Sequence, residues 1–235
     1  MVTQRHASCV LAAVLYFGAS SLFAATVYEA PKIGLQAGEM NMEVAVVVSH
    51  DAVKADVSVG NQVRVSMIES QDRLILVDHT ARIYVEHSLV DHPKLTHSMW
   101  TATSRKQFAL GGYCRVVEMR LSDRLTQERC VVSAESVFGS EALLARGTHV
   151  GEFLAQVALS ADTASLFDSS VAALSQSGTE RDFPLIVRTL VRGDVTDEIR
   201  LRRTGRTVSD RNVFGVPSGF RHLANYERAT IQAAR

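Results

Sequence analysis

The chain has 235 residues, of which 46% are hydrophobic, and its 25 Lys and Arg residues balance 25 Asp and Glu residues. This length supports one complete hydrophobic core, and no stretch of the chain resembles a linker between domains. The formal net charge of zero argues against a general electrostatic field that would recruit nucleic acid, so we expect no nucleic-acid partner.

The first 24 residues have the pattern of a signal peptide. Arg5 and His6 precede an apolar run from Cys9 to Phe17, and small residues follow before Ala24. The run is shorter than the roughly 20 continuous apolar residues that span a bilayer. We therefore predict cleavage near Ala24, which leaves 25–235 as a single domain in the periplasm or secreted. A retained N-terminal anchor helix is the alternative.

Alternation of apolar and polar residues predicts the first hairpin. Val53 and Val57 share one face of a strand, and Val63 and Val65 share one face of the next strand. Both sets face the same side if residue 59 lies opposite residue 63. This register predicts a three-residue loop at 60–62.

Two further strands, at 73–78 and 81–86, are apolar on both faces. Pairing 76 with 83 and 74 with 85 groups Leu74 and Leu76 with apolar residues of the partner strand. Because Ile75 and Val77 place apolar side chains on the opposite face, another element has to pack over this sheet.

Cys114 and Cys130 are the two cysteines left after removal of the signal peptide. Strands at 112–120 and 124–132 place residue 114 directly opposite residue 130, within reach of a disulfide bond. Export to an oxidising compartment favours that bond. A redox site normally has a Cys-x-x-Cys spacing, and a zinc site needs more ligands nearby.

Residues 134–177 change to helical spacing and predict the cover over the sheet. Phe153 and Leu154 belong to one predicted helix, Leu166 and Phe167 belong to another, and Asp162 is a plausible N-cap. Alternation returns at 184–191 and 195–203, which predicts further strands. The pattern is therefore many antiparallel strands, an inserted helical segment and more strands.

Several short stretches resemble a group of uncharacterised exported bacterial proteins that share the half-barrel of the lipoprotein localisation factors LolA and LolB. They are "VDHTARIYV", "FALGGYC", "DFPLIVRTLV" and "VFGVPSGF". The resemblance implies an α+β fold, mainly β with α, in which short helices cover a strongly bent antiparallel sheet or half-barrel. It also implies an apolar cavity between sheet and helices.

The residues that would line such a cavity are apolar residues of the predicted strands and helices. They are Val53, Val57, Val63, Val65, Leu74, Leu76, Phe153, Leu154, Leu166 and Phe167. Ordinary packing in a hydrophobic core is the alternative role for each of them.

The sequence offers no pattern typical of an enzyme, a metal site or a cofactor site. His87, His92 and His97 recur every five residues, a spacing that points successive side chains in different directions on a helix or a strand. No Gly-x-Ser-x-Gly turn and no phosphate-binding loop is present.

Two functions remain. The first is an exported, non-enzymatic carrier or binding protein for a lipid, an acyl chain of a lipoprotein or another apolar ligand. The second is an envelope module for protein–protein interaction or stress sensing. Nine Arg against five acidic residues between 181 and 222 indicate either a solvated strand pair or a docking patch for anionic lipid head groups or a protein.

Overall fold

The computed structural model describes residues 25–34, 42–49, 51–70, 72–89, 100–133, 148–160, 162–163, 165–174 and 182–224. The predicted signal peptide, His92, His97 and the predicted helical stretch 134–147 lie outside the described residues. Of the described helices, none is long and apolar enough to span a membrane.

The described residues form thirteen strands, two α-helices and one 3-10 helix. The strands are β1 (Ala25–Gly34), β2 (Met42–Val48), β3 (Ala52–Val59), β4 (Gln62–Ser70), β5 (Arg73–Asp78), β6 (Ile83–Ser88), β7 (Thr101–Ala109), β8 (Gly112–Arg120), β9 (Leu125–Ser133), β10 (Asp182–Val191), β11 (Asp194–Arg200), β12 (Arg202–Val208) and β13 (Arg221–His222). The helices are α1 (Thr148–Leu159), α2 (Leu166–Leu174) and the 3-10 helix Arg211–Phe214.

All thirteen strands belong to one sheet, in the order β13-β6-β5-β4-β3-β2-β1-β11-β10-β9-β8-β7, with β12 also paired to β1. Every pairing is antiparallel except that of β13 with β6. The prediction of a mainly β protein is confirmed.

The expectation of an α+β half-barrel covered by short helices is wrong. The described chain is an open, mostly β sheet with only two α-helices. The sequence-based prediction includes no strand at β1, β2 or β7 and only the start of β12, so it underestimates the extent of the sheet. Strand β1 contains Pro31, and β7 and β12 are largely exposed, so none of them shows a clean apolar alternation.

Helix α1 lies against strands that are far apart in the sheet. It contacts β3 and β4 on one side and β10 and β11 on the other. Strands β4 and β10 are five positions apart, about 24 Å in a flat sheet at the usual strand spacing. A helix only about 10–12 Å wide reaches both sides because the sheet curves around it.

Buried charges from the sheet meet both ends of α1. At the N-terminus, the carboxylate of Glu69 accepts a hydrogen bond from the backbone N–H of His149 at 3.3 Å and lies 3.2 Å from the His149 ring nitrogen Nδ1. At the C-terminus, the Lys32 ammonium donates to the Ser160 carbonyl and lies 3.4 Å from Asp197. Each charge has the sign that stabilises its end of the helix dipole.

Polar side chains of β9 and β10 fix α1 between its ends. The amide of Gln127 donates to the Ala155 carbonyl at 2.8 Å, and the hydroxyl of Thr189 donates to the Ala158 carbonyl at 3.1 Å. Arg129 pairs with Glu152 at 3.0 Å. These contacts set the position of α1 along the sheet, which apolar packing alone does not specify.

The turns of two hairpins are wider than the sequence predicts. Leu76 lies opposite Val85, and Met119 lies opposite Gln127, so both registers are shifted by two residues from the prediction. In the first turn Asp78 accepts hydrogen bonds from two backbone N–H groups, and Ser122 does the same in the second. Because the shift is even, the same side chains still face the core.

A β-bulge changes the predicted hairpin of β3 and β4. The turn has two residues, with Gly60 at φ 58°, and Val57 lies opposite Val65 as predicted. The bulge lies between the pair of Val57 with Val65 and the next pair, in which Val63 lies opposite Ser58. Val63 is only half-buried and does not belong to the main core cluster.

Cys114 and Cys130 form a disulfide bond, as predicted, with their Cα atoms 5.4 Å apart. The predicted geometry was wrong in one respect: Cys130 lies opposite Val116 rather than opposite Cys114. The bond therefore runs diagonally across β8 and β9. Both cysteines are buried.

Removing the disulfide should destabilise the protein. Replacement of both cysteines by alanine opens a loop with a sequence separation of 16, and we expect a loss of about 3 kcal/mol in the free energy of unfolding. Urea denaturation of the oxidised protein and the variant measures the difference. Two thiols that alkylate in the native protein without prior reduction would contradict the assignment.

Removing the Lys32 ammonium should be costly, because Asp197 would keep a buried charge and the Ser160 carbonyl would lose its donor. We expect Lys32→Met to lower the free energy of unfolding by about 3–5 kcal/mol, and Lys32→Met/Asp197→Leu to recover much of it. The exposed Lys106→Met is the matched control, with an expected change of less than about 0.5 kcal/mol. Equal stability of Lys32→Met and this control would refute the role of Lys32.

Candidate functional site

Nine of the ten residues proposed to line an internal cavity lie together in the main core cluster. Val53, Val57, Val65, Leu74 and Leu76 come from the sheet, and the two phenylalanines and two leucines come from α1 and α2. All nine are at most 2% exposed. The remaining residue, Val63, lies outside this cluster because of the bulge. None of the nine lines either of the two surface grooves described below.

The larger groove lies where the tip of the β7–β8 hairpin approaches β1, β10 and β12. It has a volume of about 390 Å³. Residues 109–113 of the hairpin form one wall, and Tyr28, Val132, Leu185 and Arg203 form the rest. We name this feature the tip groove.

The hairpin tip has the geometry of a tight two-residue turn. Leu110 and Gly111 have φ values of 49° and 81°, and Ala109 pairs with Gly112 across the turn. Positive φ at both central positions matches the right-handed twist of the flanking strands. Leu110 accepts this conformation without being a glycine, and its side chain is left 44% exposed beside the groove.

Two aromatic rings extend the apolar surface of the tip. Phe108 and Tyr113 lie opposite each other, and their rings meet edge to face with centroids 5.6 Å apart. They are 59% and 74% exposed. The disulfide at Cys114 follows Tyr113 directly, so the covalent bond anchors the hairpin beside the groove.

Tyr28, Arg203 and the exposed Tyr113 supply the polar side-chain groups of the tip groove. Tyr28 and Arg203 lie opposite each other in the pairing of β1 with β12. Tyr28 is almost fully buried, and its ring packs against Phe183 with centroids 6.1 Å apart. Burial raises the pKa of the Tyr28 phenol above its ordinary value, and the positive charge of Arg203 partly offsets this rise. The phenol is therefore a hydrogen-bond donor at neutral pH.

The second groove is smaller and more polar. It has a volume of about 160 Å³ and lies beside the 3-10 helix, where Asp51, Ser70, Arg73 and Arg211 surround Ile68 and Phe214. Its size is below the usual range for ligand sites, about 300–1,000 Å³.

A polar cluster on the face of the sheet away from α1 was missed from the sequence. The Ser66 hydroxyl donates to Asp56 at 2.5 Å and lies 2.7 Å from Nε2 of His79, whose ring meets Phe220 edge to face. Burial lowers the pKa of His79, an effect that Asp56 partly opposes. In a nucleophilic pair the histidine would accept the serine proton. Ser66 is fully buried, so its hydroxyl is not accessible from the surface in this structure.

No group of three or more metal-binding side chains comes together within the part of the chain that the structure describes. His87 lies on β6 opposite Leu74.

The arginine-rich strands contribute to a ladder of paired charges across the sheet. Glu118, Glu128, Arg188 and Glu198 lie opposite one another across β8, β9, β10 and β11. Arg188 and Arg200 bind Glu198 at 2.6 and 3.0 Å, and Arg105 bridges Glu118 and Glu128. Of the nine arginines between 181 and 222, Arg188 and Arg200 are thus paired within this ladder.

No protein-family model matches the chain, and no curated protein matches it. Among solved structures, the chain is similar to the crystal structure of an uncharacterised conserved protein from Thermus thermophilus. The TM-score is 0.42 and the sequence identity 10%, with 85% of this chain and 91% of the other covered. A likeness at this level carries no argument about function.

The ladder predicts a pH dependence of stability. Burial raises the pKa of Glu198, but the hydrogen bonds and charges of Arg200 and Arg188 outweigh it and hold this pKa below its ordinary value of 4.5. A depressed carboxyl pKa contributes stability above pH 4.5 that is lost as the pH falls through the lower folded-state value.

The variant Glu198→Gln should therefore be less stable than the native protein at neutral pH, and the difference should shrink as the pH falls below 4.5. Urea denaturation over a pH series measures it. Glu43→Gln, at an exposed position of β2, is the control and should show no such convergence. A difference that is independent of pH would rule out the charge effect.

Proposed function

We propose that this protein is an exported, non-enzymatic binding protein for an acyl chain or similar apolar ligand, which it holds in the tip groove. The observation that carries the proposal is the groove itself. Its volume of about 390 Å³ lies within the usual range for small-molecule sites. Its walls combine apolar side chains with the polar groups of Tyr28, Tyr113 and Arg203, and ligand sites commonly pair apolar walls with placed polar groups.

The exposed tip gives a thermodynamic reason for binding. Phe108, Leu110 and Tyr113 form an apolar patch that water contacts in the free protein. Patches of this kind usually mark an interaction site. A linear ligand gains about 0.8 kcal/mol for each CH₂ group it buries, so a medium-length chain can reach micromolar affinity after the cost of its ordering.

The rigidity of the groove also favours binding. The disulfide fixes one wall, and the packing of Tyr28 on Phe183 fixes the other. A site that is already ordered loses less conformational entropy when its ligand arrives. Cleavage near Ala24, localisation outside the cytoplasm and the likeness to the lipoprotein localisation factors are predictions that agree with this function and are independent of the groove.

A protein–protein interaction module is the second candidate function. Strand β7 forms one end of the sheet, and its exposed Phe108 lies beside Tyr113. An aromatic pair at a sheet edge suits an apolar protein segment as well as an acyl chain. Titration with a free amphiphile separates the two candidates, because only the first predicts that the amphiphile binds.

Binding of the fluorescent fatty acid dansyl-undecanoic acid tests the proposed function. We expect micromolar binding to the native protein and about fivefold to thirtyfold weaker binding to Leu110→Asn, which removes the apolar side chain from the groove. Asparagine tolerates positive φ, so the turn should persist.

Leu121→Asn is the matched control, because Leu121 is 38% exposed and lies in the turn at the other end of β8. This control should bind the probe like the native protein. Failure of the native protein to bind, or equal losses in the two variants, would contradict ligand binding at the tip groove.

A further inference from the structure

We infer that the tip groove selects amphiphiles that end in a carboxylate, and that the Arg203 guanidinium and the Tyr28 hydroxyl hold this group. The inference rests on the proposed function and adds to it the chemical class of the ligand, a fatty acid with a free carboxylate. It makes Arg203 and Tyr28 the residues that determine specificity.

The first argument is the position of the two groups. Tyr28 and Arg203 are opposed in the β1–β12 pairing, and both line the groove. A hydrogen-bond donor and a cation that line the same groove both favour a bound anion. The other lining residues are the exposed Tyr113, apolar side chains and the glycines of the turn, and no carboxylate is among them.

The second argument is that Arg203 has no partner of its own. No ion pair or hydrogen bond of the Arg203 guanidinium occurs in the described structure. The acid nearest along β1, Glu29, instead binds Arg206 at 2.9 Å. Asp182, close to the groove at the start of β10, binds Arg115. Both neighbouring acids are therefore neutralised by other arginines, which leaves the charge of Arg203 available to a ligand.

The third argument is the state of Tyr28. Its ring is held against Phe183, and its hydroxyl makes no hydrogen bond with the described residues. Burial keeps the phenol protonated because it raises the pKa. A fixed donor without a partner, directly across from an unpaired guanidinium, matches the two oxygens of a carboxylate.

A comparison of ligands with one chain length tests the inference. Dodecanoate, dodecanol and dodecyl phosphate are titrated as competitors of the dansyl probe at low and at physiological salt. For the native protein we expect dodecanoate to bind at least about tenfold more tightly than dodecanol, because one charge-assisted contact has about this effect at a partly exposed site. Salt should reduce this preference.

Two variants locate the effect. Arg203→Met keeps the apolar stem of the side chain, and Tyr28→Phe keeps the ring that packs on Phe183. We expect Arg203→Met to abolish the preference for dodecanoate over dodecanol and to leave dodecanol binding unchanged. Tyr28→Phe should reduce the preference by about threefold. Arg202→Met is the matched control, because it removes one charge from the adjacent position of β12, outside the groove, and it should keep the native preference.

Each other outcome contradicts a distinct claim. If dodecanol binds as tightly as dodecanoate, or if Arg203→Met and Arg202→Met behave alike while both ligands still bind, the carboxylate inference is wrong and the acyl-binding function stands. Tighter binding of dodecyl phosphate than of dodecanoate would assign the site to a phosphate head group and also overturn it. If no amphiphile binds the folded native protein, the proposed function itself fails.

Discussion

The structure depends on the way one curved sheet holds helix α1 by buried charges. Glu69 meets the N-terminus of α1, and Lys32, beside Asp197, meets its C-terminus. Glu69 lies on β4, Lys32 on β1 and Asp197 on β11, so the helix connects distant parts of the sheet. Burying charge is costly unless each group is paired. The helix therefore has one favourable position on the sheet.

The location of the candidate site follows from this arrangement. Phe153 and Leu154 of α1 lie in the main core cluster together with the apolar residues of the sheet. Exposed apolar surface remains instead at the hairpin tip, where Phe108, Leu110 and Tyr113 extend beyond the end of the core. The disulfide next to the tip keeps this surface in place beside Tyr28 and Arg203. The core and the proposed ligand site therefore lie in different parts of the same sheet.

The sequence predicts the core better than the site, for a physical reason. Alternation identifies which side chains face inward, and errors of two residues at 79–82 and 121–124 leave those faces unchanged. Only the bulge near Val63 changes the side of the sheet that a side chain faces, and no residue type in that stretch indicates a bulge. The pairing of Tyr28 with Arg203 joins opposite ends of the chain, and the anchors of α1 are polar residues within strands. Neither leaves a periodic signal, because both depend on strand order.

Amide hydrogen exchange of the native protein tests most directly whether α1 is a permanent part of the core. If the sheet holds α1 as described, the amides of 152–158 should exchange only through global unfolding, with the same free energy of opening as the central residues of β10. Addition of dodecanoate should leave that relation unchanged. Exchange of these amides through a separate opening of much lower free energy would instead show that α1 is a movable cover over an internal cavity, and would contradict the account.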